Sequence, residues 1–186
     1  NGIVFTDARL NFASADLASS ISSINTGTSP RYNGIIAEKW FDRNNMKIVS
    51  CVEDNNFDGI STLERNSAEN GQTTTISDEL KIANKKSVVI SIAEAPVSAI
   101  IPAGHNADGA YWIDTKERKW CTTSYYQKED RRLETYNSSN RIKTGDVKSN
   151  TNVTDFAIHC LNEYSLGADN TPDMLFVTYK ANRPES

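Results

Sequence analysis

The run Ser-Val-Val-Ile-Ser-Ile at residues 87–92 constrains the fold more than any other stretch of the chain. It is short, β-branched, and apolar at consecutive positions rather than alternate ones. A strand with one wet face alternates. A run of this kind is covered on both faces, as in a parallel or mixed sheet with helices on either side. Residues 174–179, Met-Leu-Phe-Val-Thr-Tyr, have the same character. Helical patterns stand between and around such runs. This alternation implies an α/β fold, a mostly parallel central sheet flanked by helices.

Local signals fill in the order. Residues 2–6 read as a short strand. Asp16 is placed to cap a helix through Leu17, Ile21 and Ile24, with Gly27 stopping it. Ser29-Pro30 and Asn33-Gly34 mark turns. Residues 40–41 and 47–52 read as strands joined at the polar Arg43-Asn44-Asn45, and 54–72 as a loop. Residues 77–83 read as a helix capped by Ser77. Residues 109–114 and 119–125 form a hairpin pattern, giving the fold a small hairpin region. Residues 127–151 are strongly polar and read as a mobile insertion or lid. Residues 155–166 place Phe156, Ala157, Cys160 and Leu161 on one helical face, with Gly167 as the stop. No clean boundary or internal repeat appears, so 1–186 reads as a single domain.

Composition excludes some functions. The net charge is −4 over 186 residues, and of the local basic pairs Lys85-Lys86 and Arg131-Arg132 the second is flanked by acids. That disfavours nucleic acid, whose binding needs a basic patch or stripe. No apolar run approaches the length of a membrane span. The chain lacks an initiator Met and a signal peptide, which reads as a processed or trimmed product. Cys51, Cys121 and Cys160 are widely spaced. They fit one disulfide plus a thiol or three buried thiols equally, and they lack zinc-finger spacing.

Few constellations carry chemistry. Asp54, Asn56 and Asp58 alternate ahead of Gly59, like the opening of a calcium loop, but Arg65 stands where such a loop ends in Glu. That favours a polar turn. His105 and His159 are the two histidines, too few for a histidine-rich metal site. Trp112 and Trp120, with three tyrosines, cluster about the hairpin. Cross-strand packing explains them, and exposed aromatics that grip a sugar or protein are the alternative.

Three segments together point to a family. They are "ISSINTGTSPRYNGIIAEKWFDR", "IPAGHNADGAYWIDTKERKWCTTSYY" and "TDFAIHCLNEYSLGADNTPDMLFVTY". In order and spacing they resemble the alkaline phosphatase superfamily, in its type I phosphodiesterase/nucleotide pyrophosphatase branch. The bacterial periplasmic alkaline phosphatases of that branch are the nearest pattern. The resemblance implies a parallel sheet between helices, two zinc ions, and a Thr or Ser nucleophile at a helix N-terminus. Paired cations stabilise the attacking and leaving oxygens, and a helix N-terminus favours phosphate.

Carried over position by position, the resemblance implies lost catalysis. The nucleophile position falls on Leu17. The Asn that holds a phosphate oxygen falls on Glu38. The Lys-x-Arg clamp falls on Ala95 and Val97. A metal-ligating Asp falls on Arg183. The remaining ligands are expected outside residues 1–186, so the chain reads as a degenerate and truncated member. The expectation is a non-catalytic binding or scaffold domain with no cofactor. Its partner would be an unidentified protein or glycan, and its location periplasmic or cell-surface. His105, Asn106 and Trp112 are the candidate binding positions. Two alternatives remain: a zinc-dependent phosphohydrolase whose nucleophile has moved to Ser14, Ser19 or Ser20, and a surface module that binds through the aromatic hairpin.

Overall fold

A strand that is apolar on both faces requires two covering layers, and the chain supplies them. The computed structural model describes residues 4, 6–7, 12–13, 16–143 and 150–181. The helices are α1 (Leu17–Thr26), α2 (Pro30–Asn33), α3 (Ile76–Ala83), α4 (Pro96–Ala103), α5 (Arg131–Ser139) and α6 (Asn150–Glu163). The strands are β1 (Lys39–Asp42), β2 (Lys47–Ser50), β3 (Gly59–Ile60), β4 (Val89–Ala93), β5 (Gly109–Asp114), β6 (Lys119–Thr123) and β7 (Met174–Thr178). The main sheet runs β3-β6-β5-β4-β7, and β1-β2 form a separate antiparallel pair. β4 pairs in parallel with both β5 and β7, whereas β5-β6 and β6-β3 are antiparallel. The sheet is therefore mixed, and parallel around β4.

Side-chain alternation along β4 and β5 sorts the core into two halves. Val89, Ala93, Ala110 and Trp112 point to one face, where they meet Ala18 of α1 and Val97, Ala99 and Ile100 of α4. Ile90, Ile92, Tyr111 and Ile113 point to the other, against Leu133 of α5 and Val153, Phe156 and Cys160 of α6. All five β4 residues are buried. Burying one such aliphatic side chain is worth about 1.5–3 kcal/mol, so β4 is the strand on which the layers depend.

Several sequence expectations meet the structure directly. Asp16 caps α1, and Gly27 closes it in the left-handed conformation. The hairpin turn between β5 and β6 is held by Asp114, whose Oδ1 accepts from the amides of Lys116 and Glu117. The three cysteines are free and buried. Burial pushes the Cys51 thiol up to about 12, which keeps it unreactive at neutral pH.

Others are corrected. The cap of α3 is Thr75, in a reciprocal capping box with Asp78, rather than Ser77. Ser77 lies inside the helix and donates to the Pro102 carbonyl at 2.5 Å. α1 packs through the small residues Ala18, Ser19 and Ser22, leaving Leu17 and Ile24 exposed. Of the stripe read from Leu17, Ile21 and Ile24, Ile21 packs against the first core half, whereas Leu17 and Ile24 are turned outward because small residues let α1 approach α4 closely. β7 is an edge strand and only half-buried.

Residues 127–143 pack on the sheet through specific bonds. Asp130 caps α5 and accepts from the Tyr111 hydroxyl at 2.5 Å. Asn137 bonds both the amide and the carbonyl of Trp120. Residues 144–149, the Arg183 position and most of the strand expected at 2–6 lie outside the described residues.

Phe156 is the keystone of the second core half. It stacks on Trp120 at 4.2 Å between centroids and meets Tyr111 and Tyr136 edge-on. Phe156→Ala is expected to destabilise the fold by about 3–5 kcal/mol, read by chemical denaturation. A loss below about 1 kcal/mol would mean that α6 does not seal this face.

Candidate functional site

In open α/β sheets, ligands gather beyond the carboxyl ends of the parallel strands. Here β4 and β7 end beside the N-termini of α1 and α4. A hollow of about 400 Å³ lies there, lined by Leu17, Glu94, Ala95, Ser98, Thr178, Tyr179, Lys180 and Ala181. A second, of about 450 Å³, shares Ala95 and includes Glu38, Glu53, Leu63, Glu64, Arg65 and Val97. The topology thus gathers Leu17, Glu38, Ala95 and Val97 around two adjoining hollows.

The mouth of α1 is the most organised part. Leu17 is the first helical residue and is 51% exposed at the rim. The Asp16 carboxylate accepts from the Ser19 amide at 2.8 Å and the Ser19 hydroxyl at 2.7 Å. Its second oxygen accepts from the Glu38 amide at 2.5 Å. Slight burial alone would raise the Asp16 pKa, but the bonds from Ser19 and Glu38 outweigh it and hold the group below the usual carboxylate range. The anion-binding end of α1 is therefore filled by the chain's own carboxylate.

The TGT motif has a packing role. Asn33 is buried and donates to Thr26 Oγ1 at 3.3 Å and to the Thr28 carbonyl at 3.2 Å. Its side-chain oxygen accepts from the Ile35 amide at 3.0 Å.

His105 and Asn106 are bound up in a similar knot. Asp78 is fully buried at the start of α3. Its Oδ1 accepts from the amides of His105 and Asn106 at 2.8 Å each, and from the Asn106 side chain at 3.0 Å. Its Oδ2 accepts from the amide and hydroxyl of Thr75 and lies 3.1 Å from His105 Nδ1. His105 Nε2 lies 3.1 Å from the Gly71 carbonyl. Burial would raise the Asp78 pKa, but bonds from His105, Thr75 and Asn106 prevail and hold it well below the carboxylate range. The hydrogen bond to Asp78 raises the His105 pKa despite burial.

Gly104 belongs to the same knot. It has φ +70° and ψ −156°, a region open essentially to glycine, and an added Cβ would run into Thr75 Oγ1 and the Asp78 carboxylate. The Ala-Gly-His segment is therefore a structural clasp.

The other sequence candidates are also turned to structural use. Trp112 is 0% exposed, and its indole N–H donates to Glu64 at 2.8 Å. Tyr111 and Trp120 are buried too, so the hairpin aromatics form core rather than a gripping surface. Asp54 accepts from the Asn56 amide and the Ser67 hydroxyl, and Asp58 pairs with Arg65 at 2.8 Å. Arg65 thus supplies the positive charge a cation would bring, and a strand, β3, follows where a calcium loop leads into a helix. His159 packs against the rings of Tyr136 and Phe156. Among the described residues, no group of three or more His, Cys, Asp or Glu converges as a metal site requires.

Sequence reasoning missed Glu94, Tyr179 and Lys180 as lining residues. It also missed α4, whose only clear start signal is Pro96 and whose Pro102 looks like a breaker.

Comparison with known proteins gives a consistent picture. The chain is 38% identical over 112 residues to alkaline phosphatase PhoV of Synechococcus elongatus, covering 58% of this chain and 20% of that one. It is 32% identical over 133 residues to alkaline phosphatase PafA of Elizabethkingia meningoseptica, covering 69% of this chain and 24% of that one. The crystal structure of wild-type PafA superimposes with a TM-score of 0.77 at 23% identity, over 86% of this chain and 42% of that chain. The chain thus spans about a fifth to a quarter of the length of these curated relatives. No protein-family profile matches it.

Two outcomes follow from the Asp78 clasp. A raised His105 pKa stabilises the fold fully below the ordinary histidine value of about 6.5, and the contribution is lost as pH rises through the folded pKa. The lowered Asp78 acts in the opposite direction, its contribution being lost as pH falls through and below about 3.8. The melting temperature of the wild type should therefore fall more steeply above pH 6.5 than that of His105→Gln; parallel slopes would remove the pair from the account. Gly104→Ala should cost at least about 1–3 kcal/mol from backbone strain alone, checked by urea denaturation.

Proposed function

We propose that this chain, which belongs to the alkaline phosphatase superfamily by sequence and fold, is a non-catalytic member serving as a binding or scaffold module. The observation that carries this reading is the mouth of α1, where Leu17 stands beside the Asp16 carboxylate. Leucine has no nucleophilic atom. Phosphate arriving here meets a carboxylate already bonded to the helix amides, and Glu38 lines the adjoining hollow. Like charges about 4 Å apart repel by about 4 kcal/mol at an effective dielectric near 20. A helix terminus returns only about 0.3–1 kcal/mol at an exposed site. Repulsion wins.

A dizinc centre does not fit the described residues either. His105 is committed to Asp78 and Gly71, and His159 to an aromatic stack. Ala95 and Val97 occupy the clamp positions without charge, and Val97 is only 5% exposed. The alternative with a displaced nucleophile is weakened at Ser19, whose hydroxyl is buried against Asp16. Ser14 lies outside the described residues.

Placement in the type I phosphodiesterase branch, and in the periplasm or at the cell surface, belongs to the same proposal and is supported by the family resemblance. No helix among the described residues is long and apolar enough to cross a membrane.

Purified chain should release no p-nitrophenol from p-nitrophenyl phosphate above a protein-free blank. Elemental analysis should find well under one zinc per chain. Turnover that disappears in Ser20→Ala, or two tightly held zinc ions, would overturn the reading in favour of the displaced-nucleophile phosphohydrolase.

A further inference from the structure

The hollow between α1 and β7 is lined by one deeply set polar group whose bonding is incomplete. Ser98 stands in the first turn of α4 and lines this hollow of about 400 Å³, a volume in the range of small-molecule sites. The residue is only 5% exposed. Among the described residues its hydroxyl has no hydrogen-bond partner, and unlike the hydroxyls of Ser87 and Ser91 it is not shut off from solvent. A polar group set this deep costs about 1–3 kcal/mol when unmatched. A ligand atom in the hollow can reach it and complete it.

The backbone beside Ser98 carries the same signal. α4 starts without a side-chain cap. Its first bonded amide is that of Ala99, which donates to the Ala95 carbonyl at 3.2 Å. Pro96 has no N–H, so the amides of Val97 and Ser98 are the donors left at this helix end. At α1 the comparable amide, that of Ser19, is met by Asp16. Among the described residues α4 has no such acceptor of its own, so two amides and a hydroxyl wait on one.

The other lining residues define the rest of the ligand. Leu17, Ala95, Tyr179 and Ala181 make the walls mainly apolar. The Tyr179 hydroxyl lies 2.9 Å from Thr154 Oγ1, which fixes the ring, and Leu17 is set by the Asp16 cap. Pre-set walls lower the ordering cost of binding. Glu94 lines the same hollow, and Asp16 adjoins Leu17 at its rim. Both repel an anion approaching the α4 donors. An uncharged acceptor meets the donors without that repulsion.

We propose that this hollow binds a small uncharged carbonyl compound with an apolar body, of the ketone or ester class. Its carbonyl oxygen accepts from Ser98 and the start of α4, and its body lies against Leu17, Ala95 and Tyr179. The inference rests on the binding-module reading and deepens it by naming the ligand class.

Acetophenone is the probe, titrated into the full chain and followed by backbone amide shifts in NMR. Ethylbenzene keeps the apolar body and lacks the carbonyl, and benzoate adds a negative charge. Acetophenone should move the Val97, Ser98 and Tyr179 amides saturably. Ethylbenzene and benzoate should each bind more weakly by about threefold or more, the worth of one neutral hydrogen bond. Ser98→Ala should weaken acetophenone by a similar factor and leave ethylbenzene unchanged. It removes an unbonded hydroxyl and suits a helix, so the melting temperature should hold. Leu17→Ser should weaken both ligands. The proposal is overturned by no saturable shift at these amides, by ethylbenzene or benzoate binding as tightly, or by wild-type acetophenone affinity in either variant. Turnover of p-nitrophenyl phosphate by the same preparation would instead overturn the non-catalytic reading. With neither turnover nor acetophenone binding, this inference alone falls.

Discussion

Val89–Ala93 of β4 have no face toward water, and the arrangement of the other elements follows from that constraint. The odd residues need one layer and the even residues another. α1 and α4 supply the first, α5 and α6 the second. β5 and β7 flank β4 in parallel, so backbone bonding is met on both sides. The carboxyl ends of β4 and β7 then open between the helix layers, and the hollows form there. The site's position is a consequence of how β4 is buried.

A second constraint holds the first layer in register. Asp78 is a buried carboxylate, which is tolerable only when its lone pairs are met by donors. Thr75, His105 and Asn106 supply them. The clasp joins α3 to the turn after α4, and His105 extends it to Gly71. The Ala-Gly-His motif is thus accounted for without reference to a ligand. So is the Thr-Gly-Thr motif, through Asn33. Both serve the frame around the hollows.

The frame sets a carboxylate, a glutamate and a leucine at the mouth of α1. Leu17, Asp16 and Glu38 present apolar and acidic surface at the helix mouth. Glu94 and Lys180 are both among the residues that line a hollow with mainly apolar walls. The core and the clasp hold this frame together without calling on the groups that line the hollows, so fold and site chemistry are separate properties here.

By itself the sequence determined the α/β class, the doubly covered strand, and the Asp16 cap with its Gly27 stop. These are legible because periodicity, capping and residue identity are local properties. Tertiary structure decided that Leu17 and Ile24 of α1 turn outward while Ile21 packs inward, that 127–143 packs on the sheet, that Trp112 is buried, and that His105 and Asn106 bond to the buried Asp78. Only the fold brings Glu94 within one hollow with Lys180, some eighty-six positions away along the chain. Burial and partner choice depend on which surfaces meet. That is a property of packing between layers, which no window of neighbouring residues contains.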